Sequence, residues 1–355
     1  MMLDLWLASA VVVATALGVV GCGNGVDQSR SATTHSWPVS LTSSSTRAAA
    51  SPTPPGAARR GSRGPPFAVG LRVLTFIDHS RLVQVPGVGL VPRKLLTLVR
   101  YPAADSPMRT DVVGAPPERG AGPFPLLVFG HGFAVTPAVY APLLRAWARA
   151  GYIVAAPLFP LENANAPGGP NESDLDNQPR DMSFVISRML AASGDSHSVF
   201  ARLINQRAIA VAGQSDGGET ALAVAYDRSF LDRRVRAALI LSGAEIPGVG
   251  GFDFPAPSPP LLATQGTADV VNPPSRTDAF FDIAPAPKYL LTLFGASHLG
   301  PYTDEHPQLG IVERVTIAFL DRYLKHVTGA GSRLMAAGDV PGVSVLKAGR
   351  AVNQR

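Results

Sequence analysis

Six continuous apolar runs recur through the middle of the chain: "PLLVFG" from Pro125, "YIVAAP" from Tyr152, "AIAVAG" from Ala208, "AALILSG" from Ala237, "LLATQG" from Leu261 and "YLLTLFG" from Tyr289. Runs of this length without polar alternation are what strands buried on both faces show. Helical patterns fill several of the gaps, from Thr136, Gln178, Asp216 and Pro307. Strands alternating with helices imply an α/β domain, a mostly parallel central sheet with helices on both faces. Two earlier stretches, "VGLRVLTFID" (69–78) and "LLTLVRYPA" (95–103), read as additional strands, the first alternating and suited to an edge.

The flanks of this pattern set the domain limits. Residues 23–66 are rich in Ser, Thr, Ala, Pro and Arg, too poor in large apolar side chains to offset their ordering entropy by burial. We expect a disordered linker there, a catalytic domain over 67–327, and a Gly-rich tail over 328–355 whose structure the sequence leaves open. Residues 1–22 read as an export signal. The apolar segment 5–20 is shorter than the roughly 20 residues of a membrane span. It ends in Val19-Val20-Gly21-Cys22, which resembles a bacterial lipobox. Cys22, the sole cysteine of the 355 residues, is therefore the expected lipid attachment site, although the n-region carries Asp4 and no Lys or Arg. An exported protein of the bacterial cell envelope, held to the membrane by that anchor, follows as an expectation. One cysteine also rules out an intrachain disulfide and a cysteine metal site. The net charge of +5 arises from an Arg-dominated set with four lysines, and no basic run interleaves with aromatics, so nucleic acid is not an expected partner.

"VAGQSDGGETAL" (211–222) places Gly213, Ser215 and Gly217 in a GxSxG frame. A bare GxSxG is a weak signal. Here it lies between a buried strand and a helix starting near Asp216, the setting in which a sharp turn lifts a serine hydroxyl above the sheet. Such a serine needs a base, and the base an orienting carboxylate, in the chain order Ser, acid, His. Downstream histidines are His298, His306 and His326. His298 follows the last apolar run directly and is the expected base, with His306 second in the same loop and His326 on a helix. Asp269 follows the preceding run and is the expected acid; Asp278 and Asp282 read as solvated helix positions. The backbone N–H groups of Phe133, in "FGHGFAV", and of Asp216 are the expected oxyanion donors. His131 reads as a residue that shapes the loop rather than a proton carrier. Asp216 and Glu219 fall in a first helical turn, where the dipole favours carboxylates. The Asp216 side chain must point to solvent or to polar neighbours, since turned inward it would oppose an oxyanion.

Together, "TLVRYPA", "VFGHGF", "GQSDGG", "ADVVNPP" and "GASHLGP" resemble the α/β-hydrolase superfamily. The resemblance is to the branch of bacterial cutinase-like polyester hydrolases, platelet-activating-factor acetylhydrolases and chlorophyllase-type esterases. It implies an α/β-hydrolase fold and ester hydrolysis through an acyl-enzyme, without cofactor or metal: Ser215 attacks, His298 shuttles the proton, Asp269 holds the imidazole. Polyester hydrolases commonly carry Met or Gln after the nucleophile and a C-terminal disulfide. Asp216 and the single cysteine depart from both, which weakens a polymer-degrading reading. A small-molecule or lipid ester is the expected substrate. The loop 158–181 is expected to rim the pocket, with its acids and amides giving one polar wall or simply a solvated surface. The alternative reading is a non-catalytic hydrolase-fold lipoprotein that binds lipid or a protein partner.

Overall fold

The computed structural model describes residues 64–245, 249 and 252–349; Cys22, the signal and nearly all of the expected linker lie outside the described residues. The chain opens with a long antiparallel hairpin, β1 (Ala68–Val85) and β2 (Gly89–Ala103), followed by a two-residue strand β3 (Val112–Val113). The alternating units come next: β4 (Phe124–Gly130), α1 (Ala141–Arg149), β5 (Ile153–Leu158), α2 (Gln178–Gly194), β6 (Ile204–Gln214), α3 (Asp216–Tyr226) and β7 (Val235–Leu241). Then follow β8 (Leu261–Gly266), α4 (Pro274–Ile283), β9 (Lys288–Leu293), α5 (Gln308–Tyr323), α6 (Ala330–Gly338) and β10 (Ser344–Gly349). All ten strands form one sheet in the order β10-β9-β8-β7-β6-β4-β5-β2-β1-β3. Pairing is parallel from β5 through β4, β6, β7 and β8 to β9, and antiparallel where β2 and β10 extend it.

Each apolar run of the sequence is one of the central strands, and its period of two divides the core. Leu126 and Val128 of β4 and Ile209 and Val211 of β6 face α2, α3 and α4, where Met182, Val185, Val224 and Phe280 are buried. Leu127, Phe129, Ala210 and Ala212 face α1, α5 and α6, where Trp147, Val315, Phe319 and Leu334 are buried. Burial on both faces explains why these strands carry no polar alternation. The Trp147 indole donates to Thr316 Oγ1 at 2.8 Å and so joins α1 to α5 without an unsatisfied donor.

Two features go beyond the sequence reading. Both early strands are longer than their apolar cores: β1 runs on to Val85 through a bulge between Asp78 and Leu82, and the chain turns at Gly87, φ 74°. The tail that the sequence leaves open forms α6 and β10, the latter lying antiparallel on β9 with Ser344 opposite Leu293. Among the described residues no helix is long and apolar enough to cross a membrane.

A parallel sheet sends every strand's carboxyl end to one edge. The residues just beyond β4, β6, β8 and β9 therefore share a single rim. They include His131, Ser215, Asp269 and His298.

Candidate active site

Ser215 occupies the one-residue turn between β6 and α3 at φ 55°, ψ −123°, a conformation that a residue with a Cβ holds only under constraint. Its amide donates to Leu241 O of β7 at 3.0 Å, and its carbonyl accepts from Glu219 N at 3.0 Å. The glycines make the turn sterically possible: a Cβ on Gly213 would collide with the Gly217 carbonyl, and one on Gly217 with the Gly130 backbone. Gly132 of the loop after β4 packs against the serine itself, with the position of a Cβ there 3.1 Å from Ser215 Cβ.

Asp269 and His298 converge from the loops after β8 and β9. The His298 Nδ1 lies 2.8 Å from Asp269 Oδ2. Asp269 Oδ1 accepts from the amides of Val271 at 3.0 Å and Asn272 at 2.9 Å. Burial opposes charge on this carboxyl, but the His298 ring, the Asn272 amide and the Ser242 side chain outweigh it and hold the acid below its ordinary value. An ionised Asp269 fixes Nδ1 as the protonated ring nitrogen, which leaves Nε2 with the lone pair a general base needs. His298 Nε2 is 3.2 Å from Gln214 Nε2, the side chain immediately before the nucleophile. His306 and His326 are exposed, the latter in a left-handed turn after α5 at φ 54°, and Asp278 and Asp282 are exposed on α4.

Phe133 lies on the loop after β4 and Asp216 is the first residue of α3. His131 is fully buried and burial pulls its pKa down to about 4. Its Nε2 accepts the Phe159 amide at 3.1 Å, so Nδ1 carries the proton and donates to Gly132 O at 2.8 Å. A neutral imidazole with both nitrogens engaged braces the Gly132 loop against the end of β5 and has none left for proton transfer.

The Asp216 side chain turns to a polar neighbour and not to solvent, being 5% exposed. That neighbour is Glu162, fully buried, whose pKa is pushed up to about 11 by burial first, then by its hydrogen bond to Asp216 and the nearby acids Asp174 and Glu172. Among the described residues no N–H or O–H reaches either Glu162 oxygen or Asp216 Oδ2. Burial beside the Asp216 carboxyl thus favours the neutral, protonated form of Glu162. The Glu162 carbonyl accepts the Ala134 amide at 2.9 Å, so the same residue also holds the loop carrying Phe133.

The loop 158–181 divides its polar residues, with Asn171, Glu172, Ser173 and Asp176 exposed and Asp174 and Asp181 buried. Two of its acids turn inward onto Arg93 of β2, whose Nη2 is 2.7 Å from Asp174 and 2.6 Å from Asp181. Arg81 adds a second contact to Asp181 at 2.7 Å. These buried pairs fasten the rim loop and the start of α2 to the β1–β2 hairpin. Exposed apolar side chains lie on loops of the same rim: Phe133 and Val139 after β4, Val270 and Val271 after β8. A cavity of about 980 Å³ lined by Phe67, Phe124, Gly151 and Lys325 lies at the amino ends of the strands, away from this rim. Among the described residues no group of three or more His, Cys, Asp or Glu side chains could hold a metal ion.

Sequence reasoning located Ser215, Asp269 and His298 but not Gln214, Tyr140, Glu162 or Arg93. Gln214 is visible as the variable position of the GxSxG frame, whereas Glu162 within the expected rim loop and Tyr140 shortly after the Phe133 loop carry no mark of their own.

Comparison with known proteins agrees with this fold. Residues 84–249 match the chlorophyllase family model, a span that includes the His131 loop and the Ser215 turn and ends before Asp269 and His298. No curated protein matches the chain. Among solved structures, a ferulic acid esterase from Streptomyces cinnamoneus superimposes with a TM-score of 0.55 at 22% identity, covering 77% of this chain and 93% of that one. The chain is thus an α/β-hydrolase-fold protein whose segment 84–249 matches the chlorophyllase model of that fold's esterase branch.

Proposed function

We propose that the chain is a serine carboxylic-ester hydrolase in which Ser215, His298 and Asp269 act as a catalytic triad. The observation that carries this reading is the 2.8 Å contact of His298 Nδ1 with Asp269 Oδ2, made on the same sheet edge from which the Ser215 turn projects. In the proposed cycle Ser215 Oγ attacks the ester carbonyl while His298 Nε2 takes its proton, exchanging its contact with Gln214 for one with the serine. Asp269 keeps the Nδ1 proton in place and stabilises the imidazolium. The backbone amides of Phe133 and Asp216 receive the oxyanion; one such donor is worth about 10²- to 10³-fold in turnover. His298 then gives its proton to the leaving alcohol, and water repeats the sequence to release the acid and free Ser215.

The chlorophyllase match and the esterase neighbour support ester bonds as the substrate class. Phe133, Val139, Val270 and Val271 on the rim loops favour an apolar ester, small-molecule or lipid. Steady-state hydrolysis of p-nitrophenyl esters from acetyl to palmitoyl by wild type and Ser215→Ala tests the proposal. Turnover that disappears in the variant supports it; no hydrolysis by wild type, or full turnover by Ser215→Ala, rejects it. Cys22 remains part of the proposal as a lipid anchor at the cell envelope, tested by incorporation of labelled palmitate that Cys22→Ala abolishes.

A further inference from the structure

Four hydrogen-bonding groups form an unbroken chain across the floor of the site, and their donor and acceptor roles are fixed. The Gly132 amide donates to the Tyr140 hydroxyl oxygen at 3.2 Å. The Tyr140 hydroxyl then has its own proton for Gln214 Oε1, at 2.7 Å. With its oxygen turned to Tyr140, Gln214 presents its NH₂ to His298, donating to the backbone carbonyl at 3.0 Å and lying 3.2 Å from ring Nε2. The orientation of the amide is not free, because a backbone carbonyl can only accept. Tyr140 and Gln214 are both buried, at 0% and 1% exposed, so water does not compete for these groups. Burial also raises the Tyr140 phenol well above its ordinary value, which keeps it a donor.

We propose that Gln214 is a positioning residue that sets the loop of the catalytic histidine against the loop of the oxyanion hole, using Tyr140 as the intermediate strut. The proposal rests on the triad reading above. It adds that the histidine's resting partner is Gln214 and that the two loops are held in register by one relay. The loops come from β4 and β9, which are separated in the sheet by β6, β7 and β8. Gln214, at the end of β6, is where a single side chain spans from one to the other. Breaking the relay leaves the substrate's binding surface intact and misplaces the base relative to the oxyanion donors. That loss falls on kcat, because displacements of about 1 Å cost up to roughly 100-fold in rate.

The test combines kinetics with a spectroscopic reading that does not depend on turnover. In Gln214→Leu and Tyr140→Phe, kcat for a p-nitrophenyl ester is expected to fall about 10- to 100-fold with KM changed less than about threefold. The double variant is expected to be no slower than Gln214→Leu, since both substitutions break one relay; independent effects would multiply. Gln214→Glu keeps the size and the acceptor for Tyr140 but sets an acceptor against the His298 carbonyl, and is expected to be impaired as well. It also serves if the leucine variant fails to fold. With ¹⁵N-histidine, the His298 Nε2 resonance is expected to shift in Gln214→Leu and to stay nearly unchanged in Ser215→Ala. A resonance that moves only in Ser215→Ala, multiplicative losses in the double variant, or a rise in KM at constant kcat would overturn the inference. Absence of any ester hydrolysis by wild type would instead reject the triad reading, and the resonance would still decide the Gln214 contact.

Discussion

Glu162 keeps at neutral pH a proton that the unfolded chain releases, and replacing it with glutamine should therefore change how stability depends on pH. The unfolded carboxyl titrates at its ordinary value of 4.5, and burial pushes the folded one up to about 11. Between those values the native state binds one more proton than the unfolded state, so this group's contribution is complete below pH 4.5 and declines as pH rises toward 11. One proton of difference corresponds to about 1.4 kcal/mol per pH unit. From pH 5 to pH 8 the wild type should lose about 4 kcal/mol that Glu162→Gln does not lose. Glutamine retains the shape and an N–H donor for Asp216; the second N–H that it adds lowers stability by an amount that does not vary with pH, so the slope is unaffected. His131 and the other shifted groups titrate in both proteins and cancel in the difference. Urea unfolding followed by tryptophan fluorescence at several pH values gives the two stabilities. Their difference should rise with pH at close to 1.4 kcal/mol per unit. Parallel curves across pH 5–8 would refute the assignment of a protonated Glu162 in the folded state.

Three other substitutions follow from the geometry. Asp269→Asn preserves the loop but removes the charge that selects the Nδ1–H tautomer of His298, so kcat should fall by about 10⁴-fold with little change in KM; a loss under tenfold would contradict the assigned role. Gly217→Ala drives a methyl group into the Gly130 backbone and should destabilise the fold by about 3 kcal/mol, read from denaturant midpoints, whereas an unchanged midpoint would show that the turn has room. Arg93→Met strips Asp174 of its counter-charge and leaves Asp181 only Arg81, both acids being buried at 4% and 0% exposed as side chains, and should cost about 3–5 kcal/mol in the same assay. Converting both aspartates to asparagine in that background should recover part of the loss.

The parts of the molecule legible in the sequence are those whose signal is local. Strands such as Phe124–Gly130 and Leu261–Gly266 are apolar throughout because they are buried on both faces, and that pattern survives any detail of packing. Ser215 announces itself through the glycines its turn requires, and Asp269 and His298 through their place just past a strand. β10 gave no such signal: half of its residues face solvent, and "SVLKAG" reads like any short polar-apolar stretch. Arg93 stands beside Lys94 in β2 and has no mark of its burial; only the fold brings Asp174 and Asp181 to it. The Tyr140–Gln214 bond joins residues 74 apart in sequence, and the Glu162–Asp216 pair likewise depends on how a loop returns over a helix start. Contacts of that kind have no periodicity to read, and they are the ones that hold the site's loops in place.

The most direct test of the central claim is active-site labelling. A fluorophosphonate probe should add once to the wild-type protein, with intact mass and peptide mapping assigning the adduct to Ser215, and the adduct should vanish in Ser215→Ala and form far more slowly in His298→Ala. Failure to label the folded wild type, or an adduct that persists in Ser215→Ala, would contradict the assignment of Ser215 as an activated nucleophile.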